Sequence, residues 1–255
     1  MELSRINPLG LKLFSVLVKK LVFGNCYTLK KDSAIELRNK LNEIIGWNNT
    51  QLNYDPEKLL KFVKEDLGYA DTYAKKVGVV EGYNLEEHTL EVMKNFERYK
   101  LKERLPAVKD LNLLPLIRFA LVVHDIGKPE AVENGDKNKQ HYYTKIILEK
   151  EMTKLGFLDN EKNFVLALIS GDPLGKVIRK WISLETAYAQ VIQMKDQAGM
   201  NLKDFFETLI LYYTADAYSY PIVRSLFEEK DGTLLIRKDK GEEFYKLSKM
   251  IERDS

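Results

Sequence analysis

The sequence predicts an all-α fold: N-terminal helices precede a larger helical body, and a short strand or hairpin stands near the C-terminus. Three observations predict it. Apolar residues recur at helical spacing over most of the chain, as in Leu11, Phe14, Leu17, Val18, Leu21 and Val22. Gly and Pro punctuate the ends of these segments, as at Gly46, Gly127, Pro129, Gly156 and Gly171-Asp172-Pro173. Asp231-Gly232 followed by Thr233-Leu234-Leu235-Ile236 carries the strand signal.

Taken in order, residues 11–23 predict an amphipathic helix packed on the body. Asp32-Ser33 can cap a second helix through Ile35, Leu37, Leu41 and Ile45, stopped near Gly46. Residues 49–55 read as a loop, and Pro56 suits the first turn of a helix carrying Leu59, Leu60, Phe62 and Val63. Asn84 is placed to start a helix with His88, Val92, Met93 and Phe96, and 100–110 is a loop containing Pro106. The next helix spans 111–126, with Gly127 permitting a tight turn and Pro129 ending the run, and 131–139 is a polar loop. Further helices are expected over 140–155, 163–170, 174–182, 184–194 and 202–218, with a charged helix closing the chain. The expected division is 1–80 as a helical N-terminal region (a lid or part of the same domain), 81–228 as the catalytic body and 229–255 as an extension.

Composition narrows the function classes. With 40 Lys+Arg against 38 Asp+Glu the formal net charge is +2, which gives no global bias toward nucleic acid or an anionic membrane. A single cysteine, Cys26, excludes an intramolecular disulfide and fits a reducing cytoplasm. Lys12, Lys19 and Lys20 interrupt the most apolar N-terminal stretch, so neither a transmembrane helix nor a signal peptide is expected.

The chain has only three histidines. His124-Asp125 ends the apolar run Leu121-Val-Val-His-Asp-Ile-Gly-Lys-Pro129, His88 lies one helix earlier, and His141 follows. Asp216 interrupts a very apolar helix later in the chain, where an unpaired charge is costly if buried. Imidazole and carboxylate together suit a divalent ion such as Mn, Fe, Ni, Co, Mg or Zn and do not resemble a closed cysteine-based zinc site.

His88 in Glu-Glu-His-Thr-Leu-Glu-Val, His124-Asp125 in HDIGKP and Asp216 in Tyr-Thr-Ala-Asp-Ala resemble, in order and context, the HD superfamily of metal-dependent phosphohydrolases. The resemblance covers about residues 80–225. It implies an HD-domain helical bundle in which His88, His124, Asp125 and Asp216 bind a metal. It also implies metal-activated water attacking a phosphomonoester or phosphodiester of a nucleotide or RNA end, with Asp125 orienting that water. Further histidines follow the HD pair in two-metal relatives. His141 takes the first such place but Ser170, a poor ligand, takes the next, so one ion is the expected number and a second is left open.

Around this set, Lys128 is expected to contact the phosphate, and His141 to contact it or donate a proton. Asp172, Lys176 and Arg179, in and after Gly171-Asp-Pro-Leu-Gly-Lys176, are substrate-binding candidates; that loop does not fit a P-loop. Most tyrosines at helical spacing are expected to pack in the core. Two other readings stay open: a nucleoside triphosphate or alarmone hydrolase, and a non-catalytic ligand-binding module on the same scaffold. The sequence names no protein partner.

Overall fold

The computed structural model describes residues 33–48, 54–76 and 84–255. The helix expected over 11–23, with Cys26 and Asp32, lies outside them. The described residues are all-α apart from one antiparallel hairpin, and none of their helices is long and apolar enough to cross a membrane.

Helix α1 covers residues 33–45 and ends at Gly46, whose φ of 76° is the left-handed value that favours glycine at a helix C-terminus. In α2 (Pro56–Lys61), Asp55 caps the first turn by accepting from the Glu57 N–H at 2.9 Å, and the helix continues as a wide π turn over Phe62–Asp66. A short α3 (Ala70–Tyr73) follows, whose Tyr73 hydroxyl donates to the Val122 carbonyl. Helix α4 (Leu85–Arg98) opens on a reciprocal capping box: Asn84 Oδ1 accepts from the Glu87 N–H (2.8 Å), and Glu87 Oε2 accepts from the Asn84 N–H (2.9 Å). That cap fixes the start of the turn that carries His88.

Helix α5 (Leu113–Val123) is the centre of the body, and every residue from Pro115 to Val123 is buried. Its one charge, Arg118, is only 2% exposed. Glu97 on α4 receives Arg118 Nε at 2.8 Å and Nη2 at 3.2 Å, the Ile45 carbonyl receives Nη1 at 2.9 Å, and the guanidinium lies 4.0 Å from the Tyr54 ring centroid. One buried cation thereby ties α1, α4 and α5 together.

The expected run to residue 126 stops earlier. Residues after Val123 form a tight turn, and α6 (Lys128–Glu133) begins where a loop was expected. Pro129 therefore starts a helix and does not end the one before it, because a proline in the first turn gives up an N–H that has no partner there. Gly127 serves a different purpose from the one expected. Its φ is −86°, open to any residue, but a Cβ there would lie 2.1 Å from the Thr144 backbone nitrogen. The glycine lets the turn lie directly on α7 (Gln140–Lys154), where the Gly127 N–H donates to Thr144 Oγ1 at 3.0 Å.

Helices α8 (Asp159–Leu168), α9 (Pro173–Ile178), α10 (Leu184–Ala198) and α11 (Leu202–Ser219) complete the body. The long α11 packs along α4, and α10 packs on α8. A 3-10 segment over Pro221–Leu226 leads to β1 (Phe227–Lys230) and β2 (Thr233–Ile236), paired from Phe227↔Ile236 to Lys230↔Thr233. The turn is Asp231-Gly232, both with positive φ, as a two-residue hairpin requires. Helix α12 (Glu242–Asp254) closes against α9, α10 and α11. Leu41 and Ile45 of α1 and Leu59 to Val63 of the α2 segment share one apolar core with α4, α5, α8 and α11.

Removing one partner of a buried ion pair leaves the other uncompensated. Glu97→Ala is expected to destabilise the fold by about 3–5 kcal/mol, measured by urea denaturation; a loss under about 1 kcal/mol, the range of exposed pairs, would show that the Arg118 interaction carries no such weight.

Candidate metal centre

Three helices bring the four predicted ligands together. His88 sits in the first turn of α4, His124 caps the C-terminus of α5 with Asp125 beside it, and Asp216 lies in the last turn of α11. His88 Nε2 is 3.2 Å from His124 Nε2, 3.5 Å from Asp125 Oδ2 and 3.3 Å from Asp216 Oδ1. His124 Nε2 is 3.6 Å from Asp125 Oδ2 and 3.5 Å from Asp216 Oδ1. His88, His124 and Asp125, all buried, form a group that can hold a metal ion. Ligand bonds of about 2.0–2.2 Å to a common centre require ligand atoms roughly 3.0–3.6 Å apart, which is the spacing within the three-residue group and between each imidazole and Asp216; Asp216 itself stands outside that group of three.

The hydrogen bonds of the two imidazoles aim them. His124 Nδ1 donates to the Leu121 carbonyl at 2.7 Å. His88 Nδ1 donates to Ser219 Oγ at 3.1 Å, and that hydroxyl donates onward to the Asp216 carbonyl at 2.6 Å. Both Nδ1 positions are thus spent as donors, so the lone pair that each ring could offer a metal is on Nε2. Tyr220 adds a hydroxyl 3.2 Å from His88 Nε2, its ring centroid 4.7 Å from that of His88. Asp216 Oδ1 is buried and accepts no well-formed hydrogen bond, although both imidazoles are near it. Acceptors converging on one buried point need a cation, and the donor set fits a divalent metal.

The electrostatics agree. Burial alone would push the His124 pKa down, but Asp125 and Asp216 outweigh it and raise it to about 9. Burial works against the ionised Asp125 and Asp216, yet Lys128 and the two histidines hold Asp125, and the two histidines hold Asp216, well below the usual carboxylate range.

His124, Asp125 and Asp216 line a cavity of about 500 Å³. Lys128, His141, Asp172 and Arg179 also line it; Lys176 is not among its lining residues. Lys128 Nζ contacts Asp125 Oδ2 at 2.9 Å, so it bridges a ligand and the cavity and does not stand free on the His124 face. Its pKa is raised, because Asp125 overcomes the penalty of burial. His141 Nδ1 donates to the Ile169 carbonyl at 3.0 Å, and burial lowers its pKa. A neutral ring with Nδ1–H spent presents an acceptor at Nε2, so His141 is set to receive a proton, where the sequence suggested a donor. Asp172 is committed to structure: Oδ1 caps α9 through the Gly175 N–H (2.7 Å) and Oδ2 pairs with Arg179 Nη2 (2.8 Å). Ser170 donates to the Ala167 carbonyl, and among the described residues no second group of three such ligands converges.

Sequence reasoning missed Ser219 as the partner of His88; it expected most tyrosines to pack in the core, and Tyr212, Tyr213 and Tyr220 line the cavity. No family model, curated protein or solved structure matches the chain.

The pKa of His124 fixes a pH dependence. A group raised from its ordinary value of 6.5 to about 9 contributes stability that is fully present below about pH 6.5 and lost as pH rises through about 9. A metal must displace that proton. In chelator, thermal stability is expected to fall between these two pH values, while the stabilisation by added Mn²⁺ grows across the same window. A metal effect independent of pH there would contradict the assignment of His124 as a ligand.

Proposed function

We propose that this protein is an HD-type metal-dependent phosphohydrolase that cleaves a phosphomonoester or phosphodiester bond of a nucleotide or RNA end. The observation that carries this reading is the clustering of His88, His124, Asp125 and Asp216, three of which line a cavity that also presents Lys128 and His141. A divalent metal held by the four would polarise a phosphoryl oxygen and lower the pKa of an attacking water.

The chain's own residues supply the rest. Asp125 is ionised and shared between the imidazoles and Lys128, so it fixes the ammonium where a phosphoryl oxygen enters. His141, whose pKa burial lowers and whose Nε2 accepts only a long contact of 3.5 Å from the Gln140 amide, takes a proton from the substrate or water side. Of the cations lining the cavity, Lys128 and Arg179 are already paired with Asp125 and Asp172, and only Lys137 has no carboxylate partner among the described residues. That supply suits one phosphate group better than the several of a triphosphate or alarmone.

The test is hydrolysis of a panel of phosphomonoesters, cyclic and linear phosphodiesters and nucleotides with Mn²⁺, Ni²⁺, Co²⁺, Mg²⁺ or Zn²⁺. Turnover is expected to require metal and to fall at least about a hundredfold in Asp125→Ala, since even groups supporting a ligand cost 10–100-fold. Hydrolysis that survives both chelator and Asp125→Ala would contradict the proposal.

A further inference from the structure

In the lining of the same cavity, the end of α9 is built in an unusual way. The Trp181 N–H donates to the Lys176 carbonyl at 2.8 Å and the Lys180 N–H to the Val177 carbonyl at 2.9 Å, the two bonds of a Schellman motif. Its left-handed position, normally glycine, is Lys180 with φ 59°, a conformation that is costly for a residue with a Cβ. The apolar residue after it ordinarily packs back on the last turn of its helix. Here the residue to receive it is Lys176, preceded by Gly175, and Trp181 remains 69% exposed while lining the cavity.

The ring is nonetheless held. The Arg179 guanidinium lies 4.3 Å from its centroid, and Arg179 is itself anchored by Asp172, whose other oxygen caps α9. One side of the indole is backed by a fixed cation, and the exposure leaves a large part of its surface open. Ile222, 72% exposed, adds a second apolar side chain to the same cavity. A strained turn that keeps a cation-backed indole out of the core, in a cavity that Lys128 and the candidate ligands also line, is the construction a stacking site needs.

We propose that Trp181 is the platform on which the base of the substrate stacks, which makes the substrate a nucleoside phosphate and not a phosphosugar or a simple phosphate ester. This rests on the phosphohydrolase reading above. Trp181 is a specificity-determining residue: it holds the base while the phosphate lies towards Lys128 and the metal ligands. Every base offers a π-face, so the preference for a base does not depend on which base it is.

The test is calorimetric binding of the four nucleoside 5′-phosphonates, whose P–C bond resists hydrolysis, against methylphosphonate, which has the same head and no base. It uses the Mn²⁺-loaded full chain. All four nucleoside compounds are expected to bind more tightly than methylphosphonate by roughly five- to hundredfold. Trp181→Ala should erase that advantage while leaving methylphosphonate binding unchanged, and Trp181→Phe should keep part of it, which separates lost stacking from a folding defect. The platform is overturned if the nucleoside compounds bind no better than methylphosphonate, or if their advantage survives Trp181→Ala. Failure of every compound, methylphosphonate included, would remove the phosphohydrolase reading together with the platform.

Discussion

Two imidazole nitrogens and two carboxylates point at one place in the interior, and much of the surrounding architecture serves to keep them there. Each Nε2 is an acceptor because its ring's Nδ1 is already spent, on the Leu121 carbonyl for His124 and on Ser219 for His88. Two lone pairs 3.2 Å apart, flanked by two carboxylates, repel one another in a low-dielectric setting unless a proton or a metal lies between them. The raised His124 pKa and the depressed Asp125 and Asp216 pKa values are that requirement expressed as proton affinity.

The cost of such a site falls on the fold. Helix α5 is buried on all sides, so His124 and Asp125 can be placed deep only because an apolar helix carries them inward. Arg118, on the same helix, binds α1 and α4 through Ile45 and Glu97, which sets where His88 stands relative to His124. Asn95 Nδ2 donates to the Ala215 carbonyl at 3.3 Å, tying α4 to α11 beside Asp216. Directly after Asp125, Gly127 lets the chain lie against α7, which brings Lys128 back to Asp125 and carries His141 to the cavity.

Legibility in the sequence followed the range of the physics. Local rules placed Asn84 at the start of α4, Gly46 and Gly156 at helix ends and Asp231-Gly232 in the hairpin, because capping and left-handed turns depend on a few adjacent residues. The four candidate ligands could be chosen in advance from residue type, context and family resemblance, and the fold brings them together. What stayed hidden depends on contacts between distant segments. Ser219 holds His88 across the bundle, and nothing in Ala-Tyr-Ser-Tyr marks it for that. Gly127 looked like a turn glycine, while its need comes from Thr144 on another helix. Trp181 falls inside the stretch 174–182 that read only as a helix, and its exposure in the fold is what sets it apart. Lys128 and Asp172 were legible as polar groups near the site, but their partners, Asp125 and Arg179, were not.

The central claim is that His88, His124, Asp125 and Asp216 form one divalent-metal centre. Titration of chelator-treated protein with Mn²⁺, read by calorimetry and by paramagnetic broadening of the histidine ring signals, tests it most directly. One ion per chain is expected, with the signals of His88 and His124 broadened most and binding lost in His88→Ala, His124→Ala and Asp216→Ala. Binding that persists with the same affinity when both His88 and His124 are replaced, or no binding by the folded wild-type chain, would contradict the claim.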